Sequence, residues 1–336
     1  MRITHDTLMK IVNDTVAQRA RQDRGLLTAF LGGSMLRDDY MLGGTTDIDL
    51  FLVYTVKPQT EREIIRLTDE VHLDIAHHDQ RDYSQTRQLR VHPWLGPLVN
   101  EAKAIYDPQH FLDFTQASVR GQYDRADHIY ARVRTKLEEA RRIWMSSHIH
   151  KDQPGPLNVL AYLQSISSAI NAISSLNGPP LPERRLLLHF PARAAAAGKP
   201  GMYQGVLGLL GTTNASHDLI MSWVPLWEQA FYAVPKDVCP ARLNVTRKGY
   251  YSNAIHAMLG GSQPESALWP LLHTWTLAVS LNQMDNTVEQ EWLSAVNALG
   301  LAGEGFAEKL EALDAFLDAV EETIEVWAKE NGVQID

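Results

Sequence analysis

The stretch FLGGSMLRDDYMLGGTTDIDLFLVY (30–54) decides how this chain is read. Its first residues close a short apolar run, LLTAFL (26–31), of strand length, which breaks at Gly32, Gly33 and Ser34. Gly43 and Gly44 then turn the chain into DIDLFLVY (47–54), whose residues suit a pleated, buried strand. Asp47 and Asp49 stand two apart on that strand, so both face one side, leaving Ile48, Leu50 and Leu52 for the core. Glycine lets backbone N–H groups approach a ligand closely. A helix starting at Ser34 and running through MLRDDYM would aim its N–H groups and positive dipole end at the same place, a setting suited to phosphate.

A third acid follows. Asp74 lies inside VHLDIA (71–76), an apolar run that reads as another strand. Carboxylates held side by side repel one another and cost stability unless a cation stands between them. A hard divalent ion with oxygen ligands, Mg²⁺ or Mn²⁺, is the natural neutraliser. Three acids around metal beside a phosphate cradle describe two-metal nucleotidyl transfer.

Outward from this stretch, apolar residues at helical spacing (Leu8, Ile11, Val12, Val16, Ala20) predict a helix over 6–22. A helix-like stretch is expected at 61–69. The order helix, strand, turn, helix, strand, helix, strand predicts a small mixed-sheet α/β domain over 1–118. Beyond it, helical patterns recur without a convincing strand, at about 124–146, 157–176, 183–197, 202–210, 215–233, 250–260, 265–284, 288–299 and 304–330. Seven of the eight tryptophans fall after residue 140, as expected for aromatic-filled helix packing. The expected fold is therefore α+β, with an all-helical domain over 119–336.

Composition narrows the function. With 336 residues, 45% hydrophobic and 21% charged, the chain reads as an ordinary globular protein with room for two cores. No run approaches the ~20 apolar residues of a membrane span, and the N-terminal stretch has no signal-peptide core. One cysteine, Cys239, allows no internal disulfide. A cytoplasmic protein without membrane contact is expected. The net charge of −9 argues against sequence-blind binding of nucleic acid. Most of that charge sits in residues 303–336, which carry ten acids against Lys309 and Lys329.

Gly33-Ser34, Asp47-Ile48-Asp49 and Asp74 together resemble the signature of the DNA polymerase β-like nucleotidyltransferase superfamily, with GTTDIDLFLV especially close to its usual form. The small first domain and helical second one are similar to the aminoglycoside and the minimal or toxin-type nucleotidyltransferases. The resemblance covers residues 26–76. It departs mildly from the pattern in its 13-residue spacing from Ser34 to Asp47 and in Thr46, where serine is usual. It implies that Gly33 and Ser34 hold the triphosphate, that Asp47 and Asp49 bind two Mg²⁺ ions (or Mn²⁺), and that Asp74 completes the second metal site and helps activate the acceptor hydroxyl. The implied substrates are a nucleoside triphosphate, ATP being the expected one, and a small hydroxyl-bearing acceptor of aminoglycoside type, in a cleft between the domains. The alternatives are a toxin-type enzyme acting on tRNA or protein, and a non-catalytic nucleotide-binding module.

Plainer readings accompany several residues. Asp79, past the apolar strand, is a rival third acid but reads as a turn residue. His72, His77 and His78 invite a zinc reading, yet adjacent histidines point apart and the spacing is not that of metal ligands. Arg37 is a phosphate contact or a solvated arginine. Arg184, Arg185, Arg193 and Lys199 line a cleft or belong to an ordinary amphipathic helix. The acidic C-terminal helix reads as a solvated face, and Cys239 as a small core residue.

Overall fold

The computed structural model describes residues 4–148, 154–281 and 286–335. The chain is α+β, and it divides into two compact units, Met1–His128 and Ile129–Asp336.

The first unit starts with α1 (His5–Gln22), whose N-cap Thr4 accepts a hydrogen bond from the Thr7 N–H. Its strands are β1 (Leu26–Leu31), β2 (Thr46–Tyr54), β3 (Arg62–Arg66) and β4 (Val71–Asp79). Two short helices, α2 (Thr86–Val91) and α3 (Leu95–Glu101), lead to β5 (Lys103–Tyr106) and α4 (Phe111–Arg120). The strands form one sheet in the order β3-β4-β2-β1-β5. Only β2 and β4 run parallel; the other neighbours are antiparallel.

Each face of the sheet has its own cover. Leu8, Val12 and Val16 of α1 pack with Ala29, Leu31, Ile48, Leu50, Leu52, Leu73 and Ile75, so the core face expected for β2 is observed. On the opposite face Phe30 and Val53 pack with Tyr83, Leu89, Val99, Leu112, Val119 and Tyr123, while Phe51 lies partly buried against them. That second cluster covers the sheet from Phe51 onward along β2. Asp47 and Asp49 occupy the same face before it.

Two expectations fail here. The segment expected as helix at 61–69 is strand β3 with a turn: Leu67 N–H bonds Val71 C=O, and the Thr68 hydroxyl accepts from the Glu70 and Val71 amides. Ile64 and Ile65 are β-branched and find a ladder on β4, so pairing overrides the local helical pattern. The helix expected from Ser34 is only one 3₁₀ turn, Gly33–Leu36, followed by extended chain at Arg37. Its dipole is correspondingly small.

The second unit is helical: among its described residues there is no strand. It comprises most of α5 (Ala126–His148), then α6 (Pro156–Ser174), α7 (Leu186–Ala196), α8 (Met202–Leu209) and α9 (His217–Ala233). It continues with α10 (Lys248–Leu259), α11 (Leu268–Ser280), α12 (Asn286–Ala298) and α13 (Gly305–Glu330). Helix α11 is apolar nearly all round and correspondingly buried. Its Thr274 and Thr276 hydroxyls accept from the indole N–H groups of Trp227 (2.8 Å) and Trp292 (3.0 Å), which satisfies two buried donors. Helix α13 buries Phe306, Leu310, Leu313, Leu317, Val320 and Ile324, and its acids Asp314 and Glu321 reach Arg141 of α5. The acidic C-terminal helix is thus an amphipathic packing helix with part of its charge paired. Lys136 of α5 is fully buried, and burial pushes its amine down to about 7 against the pull of Glu139.

Among the described residues no helix is long and apolar enough to cross a membrane.

A charged knot sits inside the helical unit. The Glu183 carboxylate accepts from His273 Nδ1, from Arg242 Nε (2.7 Å) and from the Tyr251 hydroxyl (3.3 Å). Burial alone raises its pKa, but the charges of His273 and Arg242 and the hydrogen bonds outweigh that, so the group ends below its ordinary value. A depressed carboxylate pKa stabilises the fold above the unfolded value of about 4.3. That contribution disappears as pH falls through the lower folded-state value. Glu183→Gln is therefore expected to lower the stability of the helical unit at pH 7 by about 1–3 kcal/mol, discounted for the half-exposed Arg242. It should also flatten the loss of stability below pH 4.5. Tryptophan fluorescence during denaturation reports on this unit, and parallel acid limbs for variant and parent would refute the assignment.

Candidate acidic site on the sheet

Strand β2 alternates acids and core residues: Asp47 and Asp49 on one side, Ile48 and Leu50 on the other. Its parallel partner β4 sits in a register that sets Asp47 against His72 and Asp49 against Asp74. Residues opposed in register point to the same face, so Asp47, Asp49 and Asp74 share one face of the sheet. Neighbouring strands lie about 4.8 Å apart, which makes Asp49 and Asp74 immediate neighbours. Asp47 and Asp74 are buried (4% and 2% exposed), whereas Asp49 is half-buried.

The Gly-Gly-Ser turn is seated against this strand. The Gly32 N–H donates to the Asp49 carbonyl (3.1 Å), and the Ser34 hydroxyl lies 3.5 Å from that of Thr46. Gly33 has φ +67°, and a Cβ added there would stand 1.9 Å from Asp49 Oδ2. The turn backbone therefore approaches the carboxylate to a distance that only glycine permits. Gly33 thus stands against the Asp49 carboxylate, whereas the Ser34 hydroxyl is directed to Thr46, one position before Asp47 and so on the other side of β2; both residues belong to the single 3₁₀ turn.

The charge balance differs from the expected one. A divalent cation is the sole relief that the crowded carboxylates predict; the protein supplies a relief of its own. Arg62, on the neighbouring strand β3, grips Asp74 with two parallel hydrogen bonds, Nε to Oδ1 at 2.6 Å and Nη2 to Oδ2 at 2.7 Å. This fork-to-carboxylate geometry is among the stronger charge-assisted contacts. Asp47 has His72 Nδ1 4.0 Å from its Oδ1, with both side chains buried.

Whether the site suits a metal turns on these donors. Asp47 and Asp49 present hard oxygens side by side on one face, the chemistry that Mg²⁺ and Mn²⁺ prefer, and half-buried Asp49 remains accessible. Asp74 offers the same oxygens, but both are engaged by Arg62. Accordingly, among the described residues no three acids or histidines stand in a ready-made ligand arrangement. The donor set fits a divalent cation at Asp47 and Asp49, while Asp74 is held by Arg62.

The rival residues separate cleanly. Asp79 stands five positions after Asp74, opposite Tyr54, where it caps the 3₁₀ turn Gln80–Tyr83. Hydrogen bonds from the Arg81 side chain and backbone hold its carboxyl below the ordinary range. Among the histidines, His77 binds Glu63 (2.8 Å) and the Tyr54 hydroxyl (3.2 Å), while His78, on the other face, shares a 2.5 Å hydrogen bond with Tyr83. Burial pushes both imidazoles below their ordinary pKa. Arg37 lies 3.9 Å from Glu101 at the surface. Arg184 lies buried over the Tyr250 ring, 3.5 Å from its centroid, and donates to the Tyr250 carbonyl (2.9 Å). Arg193 donates to the Asn177 carbonyl (2.5 Å), and Cys239 is a half-buried thiol.

Arg62 is the residue that the sequence reading misses. On a helix, position 62 has no relation to position 74; on a strand hairpinned to β4 it becomes a diagonal neighbour. In comparisons with known proteins, no family model matches the chain and no curated protein matches it either.

Proposed function

We propose that the chain is a metal-dependent nucleotidyltransferase of the DNA polymerase β-like kind, acting in the cytoplasm on a nucleoside triphosphate. The observation that carries this reading is the in-register juxtaposition of Asp49 and Asp74 on parallel strands, with Gly33 pressed against Asp49. Bound divalent cations, two Mg²⁺ or Mn²⁺ ions, would supply neutralisation of the charge that builds up on the transferring phosphate. Asp47 and Asp49 would hold them, and Asp74 would join the second. The Gly33–Ser34 backbone and the Ser34 hydroxyl would hold the triphosphate with N–H and O–H donors. An acceptor hydroxyl oxygen forms a bond to the α-phosphorus, the bond from that phosphorus to the β-phosphate bridging oxygen breaks, and pyrophosphate leaves. Asp74 accepts the hydroxyl proton. A small acceptor of aminoglycoside type fits the net charge of −9, which disfavours a nucleic-acid backbone.

One observation favours a second reading. The Arg62–Asp74 pair could be a permanent replacement for metal, leaving a nucleotide-binding module without catalysis. Calorimetry with ATP, with and without Mg²⁺, separates the two. Triphosphate binding that requires Mg²⁺ and is lost in Asp49→Asn is expected for the enzyme; binding indifferent to Mg²⁺ supports the module, and no binding at all removes both. A screen of labelled ATP, GTP, CTP and UTP against pooled aminoglycosides, total tRNA and cell lysate then identifies the acceptor.

A further inference from the structure

The positions of Arg62 point to a role that the triad of acids alone does not require. Its side chain is 49% exposed, while the Asp74 side chain it grips is 1% exposed. A half-exposed guanidinium thus seals a buried carboxylate from the outside. On its outer side Arg62 also lines a cavity of about 650 Å³, together with Lys57, Glu61, Ala76, His78 and Asp82. Glu61 and Asp82 are carboxylates, so this cavity offers the guanidinium a second set of anionic neighbours within the same unit. Asp79, also on the cavity wall, is already engaged by Arg81 at 2.6 Å.

We propose that Arg62 is a movable counter-ion that competes with a divalent cation for Asp74. In one position it neutralises Asp74 through both carboxylate oxygens. In the other it turns into the cavity toward Glu61 and Asp82, and Asp74 donates its oxygens to metal. The two states compete, because the guanidinium occupies one lone-pair direction on each of the two oxygens that a cation would use. Coulombic repulsion between a guanidinium and a dication at one carboxylate is the larger part of that competition. Swapping one carboxylate partner for another costs the arginine little, since it stays partly solvated throughout. Linkage makes the effect reciprocal: whatever holds Arg62 on Asp74 weakens metal binding by the same factor as metal weakens that hold. The resting site is therefore latched, and loading with metal opens it. Arg62 is a positioning residue in this account, acting on the chemistry through Asp74.

This inference rests on the metal-dependent reading above, and its test keeps the two apart. Mn²⁺ binding to the full chain is followed by electron paramagnetic resonance, which counts unbound Mn²⁺ and needs no turnover. Arg62→Gln is expected to tighten Mn²⁺ binding on the order of tenfold, within the usual range of coupling between sites. Arg62→Lys, a point charge without the fork, should fall between variant and parent. The gain should vanish when Asp74→Asn is added, as a double-mutant cycle requires. Arg66→Gln is the control: Arg66 lies on the same strand, is exposed and pairs with Asp69. Equal Mn²⁺ affinity in parent and Arg62→Gln, with binding still abolished by Asp49→Asn, overturns the counter-ion role alone. Mn²⁺ binding that ignores Asp49→Asn, or that is missing in parent and Arg62→Gln alike, overturns the metal-dependent reading with it. Circular dichroism checks that each variant is folded. Should Arg62→Gln unfold, Arg62→Lys carries the same comparison.

Discussion

Asp49→Asn is expected to abolish nucleotidyl transfer while leaving the protein folded. Asparagine matches aspartate in shape, so it fits the space beside Gly33, and the Asp49 carbonyl that accepts from the Gly32 N–H is untouched. What disappears is one negative charge beside Asp74. For binding and chemistry this charge is the point: a neutral amide cannot balance a dication. The expected loss is on the order of 10³-fold in turnover, comparable to removing one charge-stabilising group elsewhere. For stability the effect is small. Arg62 already balances Asp74, so little repulsion is left to relieve and the thermal midpoint is expected to stay close to that of the parent. Asp47→Asn should behave alike in turnover. Asp79→Asn, whose carboxylate caps a 3₁₀ turn and holds Arg81, should retain turnover. The measurement is pyrophosphate release with the acceptor found in the screen, alongside a thermal melt. Full turnover in both Asp47→Asn and Asp49→Asn would end the metal-dependent mechanism.

The parts of this site that were legible in the sequence are those fixed by local pattern. DIDLFLVY and VHLDIA announce strands because their apolar residues are continuous or alternate, and a period of two places Asp47 and Asp49 together without reference to the rest of the fold. Gly33 is legible as a turn for the same reason. Relations set by pairing were not. EREIIRLTD carries charged residues at spacings that also suit a helix, and only the ladder on β4 decides for strand. That single decision hides Arg62, because its approach to Asp74 depends on the register of β3 against β4. The four-residue edge strand β5 is too short to leave a periodic signal. The helix expected after Ser34 fails for a different reason. MLRDDYM lies between Gly33 and the Gly43–Gly44 turn, all three at positive φ, and its chain is drawn back to β2 by the Leu42–Thr45 bridge. The strand that carries Asp74 is legible because it is apolar on both sides of that residue; the Arg62 charge that neutralises Asp74 is not, because it comes from another strand.

Gly33→Ala should reveal how much of the site depends on the closeness of turn and carboxylate. At φ +67° an L-residue pays about 1–2 kcal/mol in left-handed strain. A second effect is specific to this position: the new methyl would stand 1.9 Å from Asp49 Oδ2 and 2.8 Å from its Cγ, well inside contact. Either the turn recedes or the Asp49 carboxylate turns away. Displacement of a reacting group by about 1 Å can cost around 10²-fold. The expected result is therefore a fall in stability of about 1–3 kcal/mol and a loss of turnover near 10²-fold. Gly44 separates the two causes. It shares the left-handed backbone, at φ +72°, but an added Cβ there meets nothing within 4 Å. Gly44→Ala should cost stability to a similar degree through strain and leave turnover within a few-fold of the parent. Thermal melts and initial rates on both variants decide the matter. If Gly44→Ala and Gly33→Ala lose turnover equally, the clearance between Gly33 and Asp49 is not what positions the carboxylate, and backbone strain in the connecting loop is.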